Sequence, residues 1–87
     1  MNLKNFTGVQ FLLAAALARR WDRDRIVKMI GVNNSYYTNV NKTVDFKLLV
    51  AEFVKIPITD DIKEISLKSL YKMISILFSN HAERLGE

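Results

Sequence analysis

A chain of 87 residues is read as one domain whose core is marginal unless helices pack closely or a second copy adds buried area, so a homodimer is expected. With 49% hydrophobic and 25% charged residues it is too apolar to be disordered, and having no cysteine it can form neither disulfides nor thiolate metal sites. The net charge of +4 is uneven. Residues 1 to 42 hold Lys4, Arg19, Arg20, Arg23, Arg25, Lys28 and Lys42 against Asp22 and Asp24, a balance of +5, while residues 43 to 87 hold six basic and seven acidic groups, a balance of −1.

Thr7 and Gln10 stand three apart, the spacing of a capping box, and predict a first helix from there to about Arg20. Phe6, Val9, Leu13, Ala16 and Leu17, widened by Leu12, recur at three- and four-residue steps and imply one buried stripe. The same run has the look of a secretory leader ending in Ala-Leu-Ala. A single preceding lysine and the interruption at Gln10 favour a core helix instead. It is shorter than the roughly 20 apolar residues that span a bilayer, and its polar face is too poor for a membrane-surface helix, so no membrane partner is expected.

Asp22 offers an N-cap and Asp24 a favourable first-turn acid for a second helix that closes at Gly31, where glycine adopts a left-handed conformation without strain. Asn33 and Asn34 then cap a third segment through Lys42. Its asparagines and threonine make a poor helix on propensity alone, so it is read either as a polar loop or as a helix whose composition serves a partner. Thr43 caps a fourth helix carrying Phe46, Leu48, Leu49, Phe53 and Val54, which must end before Pro57. A strand over Leu48 to Val54 is the alternative, but no hairpin turn follows it. Thr59, Asp60 and Asp61 form another helix-start signal, with a break near Ser66. The last helix, about 66 to 85, places Leu67, Leu70, Ile74 and Leu77 at two a/d pairs, the candidate dimer interface, with Met73, Phe78, His81 and Leu85 extending the face.

The expectation is therefore all-α: a compact bundle of about five helices. From Arg23 to Lys42 the chain resembles the helix-turn-helix of phage repressors and Cro-like proteins. That template wants apolar residues at the fourth, eighth, tenth, fifteenth and eighteenth places and glycine at the ninth, and Ile26, Ile30, Val32, Tyr37, Val40 and Gly31 fill them. Val27 stands where a small residue is usual, which would widen the crossing of the two helices. An ordinary helical hairpin satisfies the same spacing. Val32-Asn33-Asn34-Ser35-Tyr36-Tyr37-Thr38 is also similar to fimbrial-operon regulators, with Ser35 where those carry glycine.

The resemblance implies a small cytoplasmic regulator of a bacterial, plasmid or phage operon that binds double-stranded DNA as a homodimer. It turns Asn34, Ser35, Thr38, Asn39 and Lys42 toward the major groove, with Arg23, Arg25 and Tyr36 as phosphate contacts. The alternative is a helical interaction module, such as a phage-encoded inhibitor docking on a host protein.

No catalytic set is expected. His81 is a lone histidine on an apolar face, Gly8, Gly31 and Gly86 cannot build a phosphate loop, and Asp60, Asp61 and Glu64 read as helix-start acids. No metal site and no cofactor are expected either.

Overall fold

A computed structural model describes residues 2 to 57 and 66 to 85, with the side chains through His81. Thr59, Asp60, Asp61 and Glu64 lie outside the described residues. Among the described residues a 3-10 turn at Leu3–Asn5 precedes five α-helices: α1 Gly8–Ala18, α2 Arg23–Ile30, α3 Asn34–Asn41, α4 Val44–Val54 and α5 Leu67–Leu85. The described residues contain no strand, so the strand alternative at Leu48 to Val54 is replaced by α4.

Each of the first four helices begins where a side-chain oxygen satisfies an otherwise orphaned backbone N–H. Thr7 Oγ1 accepts from the Gln10 amide at 3.2 Å while the Thr7 amide donates to Gln10 Oε1 at 2.9 Å, closing the capping box. Asp22 accepts from the Arg25 amide at 2.8 Å, Asn33 from the Tyr36 amide at 2.7 Å and Thr43 from the Phe46 amide at 3.3 Å. The Ser66 backbone carbonyl accepts from the amides of Ser69 and Leu70 where α5 begins, and the expected break near Ser66 borders residues 58 to 65, which lie outside the described residues.

The ends of α1 and α2 use left-handed residues. Gly31 closes α2 at φ 81°, and a Cβ there would meet nothing within 4 Å, so only the backbone conformation asks for glycine. Arg20 follows α1 at φ 64°. Its amide bonds to the Leu17 carbonyl and that of Trp21 to the Ala16 carbonyl, the paired bonds of a Schellman motif with arginine in the place glycine favours.

The core is wholly apolar among the described residues. α1 lies at its centre and touches α2, α4 and α5. The expected single stripe on α1 is corrected: Phe11, Leu13, Ala14, Ala15 and Ala16 are all buried, whereas Val9 is 40% exposed. A helix packed on several sides is apolar around most of its circumference, and three alanines let its neighbours approach. That burial also removes the run from any membrane surface. No described helix is long and apolar enough to cross a membrane.

α4 buries Phe46, Leu49 and Phe53 and leaves Leu48 and Val54 outside. Ile56, just beyond it, is buried, and its carbonyl accepts from Arg19 Nη2 at 3.2 Å. Burial lowers the Arg19 pKa from its ordinary value.

The dimer assignment on α5 needs correction. Leu70 and Leu77, with Met73 between them, are sealed inside the chain's own core, because this stripe packs on α1 and α4. Leu67 and Ile74 are half-buried against the same core, and His81 is half-buried. Phe78 stays partly exposed but meets Phe11 with ring centroids 5.0 Å apart, and Phe11 in turn meets Phe6 edge-on at 5.8 Å.

Candidate nucleic-acid interface

α3 is polar on one side and packed on the other. At 3.6 residues per turn, positions 34, 35, 38, 39 and 42 share one face while 36, 37 and 40 share the opposite one. Val40 is 8% exposed, and Tyr36 and Tyr37 lean on the core. Asn34, Ser35, Asn39 and Lys42 are exposed, with Thr38 half-buried between them. The apolar positions of the preceding helix and turn agree with this seating: Ile26 is fully buried, and Ile30 and Val32 pack against the core. Val27, where a small residue is usual, is half-buried.

Asn34, Ser35, Thr38 and Asn39 line a shallow open depression of about 300 Å³ together with Arg23 from the start of α2. Arg23, an expected phosphate contact, is exposed and hydrogen-bonded along α3. Its Nε donates to Asn34 Oδ1 at 2.9 Å, and its Nη2 donates to Thr38 Oγ1 at 3.0 Å and to the Asn34 carbonyl at 3.4 Å. The guanidinium carbon also lies 5.2 Å from the Tyr37 ring centroid. A planar fork with five N–H groups can serve several acceptors in this way, as a lysine cannot.

Two expected site residues are not brought to this face. The Arg25 guanidinium sits over the Trp21 ring at 4.0 Å, at the junction of α1 and α2. Tyr36 lines a separate shallow depression with Thr7, Val9, Gly31, Val32 and Asn33. Lys42 is the C-cap of α3, continuing the polar face at its far end. Sequence reasoning overlooked Trp21 and the ring of Tyr37 as seats for arginine. The four-residue spacing of Trp21 and Arg25 was a readable signal, whereas the pairing of Arg23 with Tyr37 joins two helices and was not.

Electrostatically the face carries no acid. α3 contains neither Asp nor Glu, and the exposed cations of this half are Lys4, Arg20, Arg23, Lys28 and Lys42. Among the described residues no three His, Asp or Glu side chains converge in a way that could hold a metal ion. Comparison with known proteins finds no matching family model, no matching curated protein and no matching solved structure.

Proposed function

We propose that the chain is a sequence-specific DNA-binding regulator of a bacterial, plasmid or phage operon, in which α2, its glycine turn and α3 act as a helix-turn-helix and α3 enters the major groove. The observation that carries this reading is the outer face of α3, where Asn34, Ser35, Thr38 and Asn39 present hydrogen-bonding groups with Lys42 beyond them, directly opposite the packed Tyr37 and Val40. Amides and hydroxyls on such a face read base edges, and the lack of any acid on α3 spares it repulsion from phosphate. The excess of basic groups in residues 1 to 42 has the sign that non-specific attraction needs. A homodimer completes the reading, since two copies set their reading helices about 34 Å apart on a palindromic site.

Fluorescence anisotropy with mixed duplex fragments tests it. Binding is expected at low salt and weakens steeply as salt rises, by a log–log slope of roughly 0.9 per phosphate neutralised. Absence of binding at low salt overturns the regulator and favours an interaction module. That second reading has its own observation: Val44 and Leu48 lie four apart on α4 at 70% and 52% exposure, and Tyr71 and Phe78 are exposed on α5.

A further inference from the structure

Arg23 does more than add charge beside α3, because the way it is bound decides which hydrogen-bonding groups α3 has left to offer. A guanidinium only donates, so the oxygen of the Asn34 amide is the atom that faces Arg23 Nε at 2.9 Å. The Asn34 Nδ2, with two N–H groups, is left without a partner among the described residues. Thr38 Oγ1 likewise accepts from Arg23 Nη2 at 3.0 Å, so its own O–H remains to donate. The second terminal nitrogen of Arg23, with two further N–H groups, has no partner among the described residues. The open depression that these three residues line therefore presents donors on this flank. Ser35 and Asn39, which line the rest of it, make no hydrogen bond to Arg23 and keep both their donors and their acceptors.

We infer that Arg23 is a positioning residue that occupies one lone pair each of Asn34 Oδ1 and Thr38 Oγ1 and so turns this flank into a donor-rich reading surface, favouring a base that shows only acceptors in the major groove, namely guanine through N7 and O6. Adenine and cytosine each set an amino donor there, for which this flank keeps only the lone pairs that Arg23 leaves on Asn34 Oδ1 and Thr38 Oγ1, and thymine offers a single acceptor beside a methyl group. An asparagine free to use both ends of its amide pairs with adenine, so Asn39 and Asn34 read different bases although they are the same residue type. This inference rests on the DNA-reading proposal above. A phosphate oxygen is also a pure acceptor, and the experiment separates the two sources.

Duplexes are selected from a randomised pool by the wild-type chain and sequenced, and the guanines of the selected site are then replaced one at a time by 7-deazaguanine, which lacks N7. The selected site is expected to contain a guanine whose replacement weakens binding about 10-fold, the loss of one good base contact. Arg23→Lys keeps the charge but not the fork. It is expected to lose the preference for that guanine, read as the ratio of its affinities for the selected site and for the same site with that guanine replaced, whatever happens to its affinity for random duplex. Far-UV circular dichroism of Arg23→Lys establishes that it folds, and should it not, the 7-deazaguanine measurement on the unaltered chain decides alone. No binding to any duplex at low salt overturns the DNA reading and this inference with it. Binding without a required guanine N7, or an Arg23→Lys variant that selects the same guanine, overturns the inference alone and assigns the donors to phosphate.

Discussion

α1 and α3 are both helices without a single charged residue, and they lack charge for opposite reasons. In α1 the cause is burial: from Phe11 to Ala16 only Leu12 keeps appreciable contact with solvent, and an unpaired charge there would have to be desolvated. In α3 the cause cannot be burial, since Val40 alone is buried and four of the eight side chains, Asn34, Ser35, Thr38 and Asn39, line an open depression. An exposed helix ordinarily mixes acids and bases on its solvent face. One that shows amides and hydroxyls instead loses helix propensity, and the DNA contact proposed above would supply a reason for that loss.

The comparison is broken most severely in the core. Leu70→Asp places a charge where the side chain is fully buried, at an expected cost of several kcal/mol, a large share of the stability of a small domain. The chain should lose its helical circular dichroism at every protein concentration. A stably folded monomer carrying this substitution would return Leu70 to an interface role and remove it from the core.

The surface helix responds through binding rather than folding. Asn39→Ala is expected to cost about 1 to 3 kcal/mol at one position of the selected site and to leave affinity for random duplex nearly unchanged, read by anisotropy against both DNAs. Equal losses on the two DNAs would show that Asn39 reads no base.

Smaller effects sharpen how α3 is held relative to α2. Gly31→Ala should destabilise by about 1 to 2 kcal/mol in urea titration, from the left-handed backbone alone, because a Cβ meets nothing there. A larger loss would mean that the turn is packed more tightly than its surroundings show.

At the end of α1 the sign reverses. Arg20→Gly relieves a left-handed residue in a Schellman motif and is expected to stabilise by about 0.5 to 1 kcal/mol, seen as a rise in Tm. A fall instead would mean that the Arg20 side chain contributes more than its backbone costs.

The features legible in the amino-acid sequence are those made within about four residues along the chain. Thr7, Asp22, Asn33 and Thr43 announce their helices because a short oxygen-bearing side chain reaches an amide three residues ahead whatever surrounds it. Gly31 marks its turn because a left-handed φ is a property of one residue. The polar face of α3 is legible too, since positions 34, 35, 38, 39 and 42 follow from helical pitch alone.

Other features needed the assembled chain. Periodicity shows that a helix has an apolar stripe but not how many neighbours cover it. Periodicity alone makes α1 one-sided although α2, α4 and α5 enclose it, and makes Leu70 and Leu77 an interface although α1 and α4 already occupy that stripe. Arg23 looked like a free cation because its partners Asn34 and Thr38 lie 11 and 15 residues away. Local hydrogen bonds and backbone torsions are written residue by residue, whereas burial and a guanidinium's choice of acceptors depend on which distant segments the fold brings alongside.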